Sequence, residues 1–218
     1  MIINKLNWLC DRISWNIRKY TINKINSRKL KNSDFSLLSI DCLGGVLLHD
    51  LGLKFNSPTV NLWFYPRDFI KFVNNLKYYL SQDMYFISEE GIDYPIGVLD
   101  DVKIYFTHYK NEEEAKLKFE NRSQRINYEK LFVLMTDANG CDESIIEEFE
   151  RIPYPHIMFT HKKYTNYKST YYCKHDKDGV FHSWKYKCLP FRYCDSFNFA
   201  EWLNTGEISY ENRDIDIS

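Results

Sequence analysis

Residues 35–45 read Phe35-Ser36-Leu37-Leu38-Ser39-Ile40-Asp41-Cys42-Leu43-Gly44-Gly45, an apolar strand-like run that ends in reactive residues and a glycine pair. The arrangement recurs along the chain. Val102–Thr107 runs into His108, Leu131–Thr136 into Asp137, and His156–Thr160 into His161. In an open α/β sheet, ligands bind in the crevice outside the carboxyl ends of the strands. Four separate segments can therefore converge on one site.

Outward from residues 35–45, strand patterns alternate with helix patterns. Val46–Leu51 reads as a short helix, and Thr59–Phe64, after Ser57-Pro58, as a strand, because proline disfavours helix at the residue before it. Arg67–Leu80 reads as a helix with Phe69, Phe72, Val73, Leu76 and Leu80 on one face. Tyr85–Ile87 and Val102–Thr107 follow as strands and Asn111–Ile126 as a helix. Leu131–Met135, Glu143–Phe149 and Ile157–Thr160 continue as strand, helix and strand. This alternation predicts βαβ units and a mainly parallel sheet. Residues 164–194 are rich in Tyr and Lys, and Asp176-Lys177-Asp178-Gly179 reads as a turn, which predicts an aromatic C-terminal hairpin extension. Ser196–Leu203 reads as a final short helix.

At 218 residues one domain is the simpler organisation. The expected divisions are a basic amphipathic N-terminal helix (1–31), a single α/β domain (32–203) and a polar tail (204–218). The net charge of -1 argues against a polyanion binder. Residues 1–31 nevertheless hold eight Lys/Arg against Asp11, a local +7 that leaves -8 for the rest. Within that helix Ile2, Leu6, Leu9, Ile13, Ile17 and Tyr20 share one face, with Trp8 and Trp15 elsewhere, near Lys5, Arg12 and Lys19. One reading packs the apolar face on the domain and leaves the basic face to solvent. The other lays a basic, Trp-bearing helix on the inner membrane surface. The first residues lack the features of a secretory signal, and no apolar run approaches the ~18 residues of a membrane span. The expected compartment is the cytoplasm, with peripheral contact at the inner membrane as the second reading.

Asp41, Cys42, Gly44 and Gly45 lie between a strand and a helix, where glycines let backbone approach a ligand and helix N-termini favour anions. A tight turn that binds nothing explains them equally. The pattern is neither GxGxxG nor a P-loop, and the sequence names no cofactor. Cys42 is a candidate nucleophile, because a helix N-terminus lowers thiol pKa, or simply a buried thiol. His108 is a candidate acid–base group and Asp137 a candidate for activating or orienting a hydroxyl, with His161 on the same edge. Arg122 falls on the apolar face of its helix with Ala115, Phe119 and Ile126, and Arg125 follows three residues on. The two arginines read either as an anion clamp or as an internal ion pair of Arg122 with Asp101 or Asp137. The six cysteines show no tight pairing and read as thiols. Cys173, His175, His182, Cys188 and Cys194 match no standard zinc spacing, so no metal site is expected. Tyr and Lys interleave in 164–192 as an aromatic hairpin would, and no nucleic-acid partner is expected.

Asp41-Cys42-Leu43-Gly44-Gly45, Leu51-Gly52-Leu53, Ser57 to Trp63, Tyr94-Pro95-Ile96-Gly97, His108-Tyr109, Arg122 with Arg125-Ile126-Asn127, and Asp137 to Cys141 occur in this order. Together they resemble a bacterial family of unknown function whose members are often labelled exopolysaccharide biosynthesis proteins. Asp41 stands where that pattern has Asn. The resemblance covers roughly residues 35–203 and implies a three-layer α/β/α fold, which makes the mainly parallel sheet Rossmann-like. It also implies an association with capsule or surface-polysaccharide synthesis, and it carries no catalytic role. The leading expectation is a transferase with an anionic, phosphate-bearing donor such as a nucleotide sugar. Arg122 and Arg125 would hold phosphate, Gly44 and Gly45 would let it approach, and His108 or Asp137 would activate the acceptor. The alternatives are a Cys-dependent acyltransferase using Cys42 and His108, and a non-catalytic scaffold of the polysaccharide assembly machinery.

Overall fold

Residues 35–40 form strand β1 (Ser36–Ser39), which pairs in parallel with β5 (Leu131–Thr136). β5 pairs in parallel with β6 (His156–Thr160), and β6 with β7 (Thr170–Tyr172). This four-stranded sheet has the order β1-β5-β6-β7. The computed structural model describes residue 10, residues 12–173 and residues 193–209. The aromatic hairpin around Asp176–Gly179, the face of Ile2, Leu6 and Leu9, Trp8 and Lys5, and the tail beyond Ser209 lie outside the described residues.

A second sheet differs from the expected parallel continuation. β2 (Tyr85–Ile87), β3 (Ile96–Leu99) and β4 (Val102–Tyr105) form an antiparallel meander. The strand at Ile96–Leu99 is absent from the sequence reading, because Tyr94-Pro95 and Gly97 look like loop. Gly97 is required by packing: a Cβ there would lie 2.8 Å from Met84 Sδ and 2.9 Å from Phe106 Cε2. β3 turns into β4 through Asp100, whose φ of 54° is left-handed.

Thr59–Phe64 is also not a regular strand. Ser57 Oγ and Thr59 Oγ1 bond each other at 3.0 Å, Ser39 N donates to Thr59 Oγ1 (2.9 Å), and Asn61 adopts φ 61°. Such side-chain bonds compete with a ladder. Only Trp63 bridges Tyr105, with reciprocal backbone bonds of 3.1 and 3.0 Å, while Phe64 N donates to Ile40 O at 3.1 Å. This short segment stitches the meander to β1. The end of β4, and so His108, is carried to the carboxyl edge of β1.

The helices are α2 (Cys42–Asp50), α3 (Pro66–Asn74), α4 (Leu76–Leu80), α5 (Glu112–Ser123), α6 (Glu143–Phe149) and α7 (Phe199–Thr205). Arg67–Leu80 is not one helix: Asn75, at φ -124° and ψ 39°, separates α3 from α4. α2 starts four residues earlier than expected because Asp41 caps it. Alternation along the strands feeds two apolar clusters. Leu38, Val133, Met135 and Met158 join Phe69, Phe72, Phe119 and Ile145. Leu37, Phe132, Leu134, Ile157 and Phe159 join Leu43, Leu47 and Trp202. A strand buried on both faces reads as a near-continuous apolar run, as β5 does.

The N-terminal helix reverses the expected packing. Residues 12–18 are α-helical, Lys19–Asn23 form a π-helical turn, and α1 (Lys24–Lys29) completes it. Ser14, Arg18 and Asn23 are buried, while Ile13, Ile17 and Tyr20 face solvent. Arg18 Nε donates to Asp50 (2.9 Å), and its Nη1 and Nη2 donate to Asp195 at 2.6 and 2.7 Å. A guanidinium fork matched by two carboxylates outweighs the apolar face in deciding which side turns inward. The helix end is held by Asn204, whose Nδ2 donates to Lys29 O (2.9 Å) and whose Oδ1 accepts from Lys31 N (2.8 Å).

Candidate functional site

Asp41 ends β1 in extended backbone and caps α2. Its Oδ1 accepts from Leu43 N at 2.8 Å, and its Oδ2 accepts from Thr136 Oγ1 at 2.9 Å. The carboxylate thus ties the ends of β1 and β5 together, and both its oxygens are engaged within the protein. Burial raises its pKa, opposed by the bonds from Leu43 and Thr136.

Cys42 is the first residue of α2, and its Sγ lies 3.2 Å from His108 Nε2. His108 is exposed, just past β4, where Tyr109 N closes a turn on Phe106 O at 3.0 Å. With the ring proton on Nδ1, Nε2 accepts the thiol proton. The expected lowering of the thiol pKa by the helix N-terminus does not occur. Burial, and then the charge of Asp41, pushes the Cys42 thiol up to about 11. The first-turn amides that would favour a thiolate are used internally: Leu43 N by Asp41, and Gly44 N by Ser39 Oγ (3.1 Å). The resting site therefore holds a protonated thiol beside an imidazole.

The thiolate fraction of Cys42 should rise about tenfold per pH unit from 7 to 10, so iodoacetamide alkylation followed site by site should rise with it. A plateau below pH 9 would mean that burial and Asp41 do not govern the thiol. With the folded pKa above the ordinary 9.0, Cys42 favours the fold below pH 9 and loses that contribution as pH rises toward 11.

Gly44 and Gly45 are required by packing. A Cβ at Gly44 would collide with the Ser39 side chain, and one at Gly45 would lie 2.5 Å from Asn61 Oδ1 and 3.2 Å from Val60 Cγ1. The glycines let α2 sit directly against β1 and the 60–61 turn, which brings Cys42 to the edge.

Arg122 projects from α5 toward the same edge. Its Nη1 donates to Val60 O (3.0 Å) and to Tyr109 Oη (2.6 Å), and its guanidinium lies 5.6 Å from the centre of the Phe55 ring. The internal ion pair does not form. Asp101 instead bonds Lys71 and Tyr79, each at 2.7 Å, and Asp137 bonds His161. Among the described residues Arg122 has no carboxylate partner. Tyr109, next to His108 in the chain, is bonded to Arg122; burial raises its phenol, and Arg122 opposes that rise. Arg125 does not join this group; it is exposed beyond the end of α5, and its backbone N donates to Arg122 O (3.0 Å).

Asp137 and His161 form a second pair on neighbouring strand ends. Asp137 Oδ2 accepts from His161 N at 2.9 Å and lies 2.6 Å from its Nδ1. Nearby Cys141 is pushed up to about 12 by burial and then by Asp137 and Asp142. The Thr136–Asp41 bond lies between the two pairs. Among the described residues no group of three His, Cys, Asp or Glu side chains could hold a metal ion. Tyr109, Thr136, Asn61 and Phe55 were missed as site residues by sequence reasoning. Tyr109 carried a signal, its place directly after a strand-end histidine, and Asn61 lay within the Ser57 to Trp63 motif.

A family model described as a domain of unknown function, DUF1919, matches residues 13–204. The chain belongs to this family. It is also 37% identical over 195 residues to an uncharacterized protein of Haemophilus influenzae, covering 86% of this chain and 92% of that protein. The DUF1919 match spans α1 to α7, so the Cys42–His108 pair, Arg122 and the Asp137–His161 pair all lie inside the family domain. Among the described residues no helix is long and apolar enough to cross a membrane.

Proposed function

We propose that this chain is a transferase that carries an acyl group on Cys42. The observation that carries the reading is the 3.2 Å contact between Cys42 Sγ and His108 Nε2. A nucleophile within hydrogen-bond reach of its base is the signature of covalent catalysis, and the high thiol pKa makes that base necessary. Sγ attacks the donor carbonyl while Nε2 takes the thiol proton. The leaving group departs with that proton, and a thioester remains on Cys42. An acceptor hydroxyl then gives its proton to Nε2 as its oxygen displaces Sγ, and Nε2 passes that proton to the departing sulfur, which restores the thiol. Arg122, free of any carboxylate among the described residues, would hold an anionic group of the donor. We read the acceptor as a surface polysaccharide or its activated precursor, on the strength of the motif resemblance. We read the fold as a three-layer Rossmann-like one, supported by the apolar clusters on the two faces of the parallel sheet.

The test is acyl capture. Protein incubated with acetyl-CoA, a phosphate-bearing thioester donor, should gain one acetyl group located at Cys42 by peptide mass analysis. No adduct, or an adduct at another residue, overturns the reading.

A second reading keeps a nucleotide-sugar donor, with phosphate at Arg122 and the Asp137–His161 pair as acceptor base. It is favoured by the same uncompensated guanidinium. Both readings expect Arg122→Ala to weaken binding of phosphate-bearing ligands by about 10–100-fold, as loss of one charged hydrogen-bonding group does. A screen by thermal shift against acetyl-CoA and nucleotide sugars separates them by which ligand stabilises the wild-type protein. Unchanged affinity in a folded Arg122→Ala protein removes Arg122 from both.

A further inference from the structure

The N-terminal helix wears its apolar side outward. Ile13, Ile17, Tyr20 and Ile25 are 51%, 47%, 67% and 52% exposed, while Arg18 is 6% exposed. At about 100° per residue, Ile13, Ile17 and Tyr20 fall within about 60° of one another around the axis. Ile25 would lie about 120° from Ile13 on an unbroken α-helix. The π-turn at Lys19–Asn23 sets the phase back by about one residue and returns Ile25 to the stripe. The stripe is therefore continuous across the irregular turn. It is also held in place: Arg18 is tied to Asp50 and Asp195 on the opposite side, and Asn204 fixes the end of α1.

The flanks of the stripe are cationic. Lys19, Lys24, Arg28 and Lys29 are exposed, and residues 12–31 contain no acidic residue. Lys19 Nζ lies 5.6 Å from the centre of the Tyr20 ring, so one cation sits directly beside the stripe. We propose that this face docks on the surface of an anionic lipid bilayer, with Ile13, Ile17, Tyr20 and Ile25 entering the headgroup–acyl boundary and the flanking lysines and arginine meeting lipid phosphates. An apolar stripe bordered by cations is the arrangement that interfacial helices use, and basic residues near an anionic leaflet add to the binding. Charge complementarity selects this occupant over a second copy of the chain, because two copies of so basic a helix would set like charges against each other. The surface is independent of the chemistry at Cys42.

The experiment is co-sedimentation of the full chain with vesicles of phosphatidylcholine alone and of phosphatidylcholine with phosphatidylglycerol. The wild-type protein should bind only the anionic vesicles. The Ile13→Ser/Ile17→Ser/Tyr20→Ser variant should bind them at least about tenfold more weakly, with an unchanged circular-dichroism spectrum. Should that variant unfold, Tyr20→Ser and Lys19→Gln/Lys24→Gln are read in the same assay, each expected to weaken binding. Equal binding to both vesicle types, no binding to either, or undiminished binding by the variants overturns the proposal. A wild-type dimer in solution that the triple variant turns into a monomer also overturns it, in favour of a second copy on this face.

Discussion

Cys42→Ala should leave no acetyl group on the protein after incubation with acetyl-CoA, and His108→Asn should slow capture by roughly 10²–10⁴-fold, the usual contribution of a positioned base. The two variants report different things. Cys42→Ala removes the atom that forms the bond. His108→Asn leaves Sγ in place and removes the acceptor 3.2 Å away. With the thiol at about 11, little thiolate exists near neutrality. The His108→Asn protein should therefore recover part of its rate as pH rises toward 10, where the thiol begins to ionise unaided. A purely structural histidine would show no such pH-dependent recovery. A His108→Asn protein that captures acetyl at the wild-type rate at pH 7 would remove the base from the mechanism. Circular dichroism checks that neither variant unfolds; both positions lie at the sheet edge and not in the apolar clusters.

Arg18→Ala should lower stability by about 3–5 kcal/mol, because it removes the cation between two carboxylates in a buried setting. The Arg18 and Asp50 side chains are 7% and 5% exposed, so Asp50 cannot recover hydration where it stands. Asp195 is more open, at 17%, and Asp195→Asn should cost less. For a chain of this length the loss corresponds to a fall in thermal midpoint of roughly 6–20 °C. Calorimetry on the two variants measures both numbers. A shift under about 3 °C for Arg18→Ala would mean that the helix is not held by this cluster. Arg18→Ala/Asp50→Leu should recover part of the loss, since apolar replacement of both partners removes the stranded charge.

Much of this architecture is local in the sequence. The strand at residues 35–40, the turn through Asp41 and the helix after it are local events, driven by an apolar run and a capping carboxylate. The strand-end positions of Cys42, His108, Asp137 and His161 follow from the same runs. Less local features were not readable. Thr59–Phe64 has strand composition, but its hydroxyls bond β1 and each other. Ile96–Leu99 is a strand because β2 and β4 pair with it on either side, and Met84 and Phe106 leave room only for a glycine at 97. The acidity of Cys42 depends on burial by distant parts of the chain and then on the charge of Asp41.

The sequence by itself determined where strands end and which reactive residues stand there, because those features depend on neighbours a few positions apart. Periodicity also set the two faces of the N-terminal helix, but it could not assign which one turns inward. Only the tertiary structure decided that, by bringing Asp195, 177 positions away, and Asp50 to Arg18. It likewise decided that Cys42 meets His108 across 66 positions. Such pairings depend on where the whole chain closes, and a carboxylate fork around a guanidinium outweighs an apolar stripe.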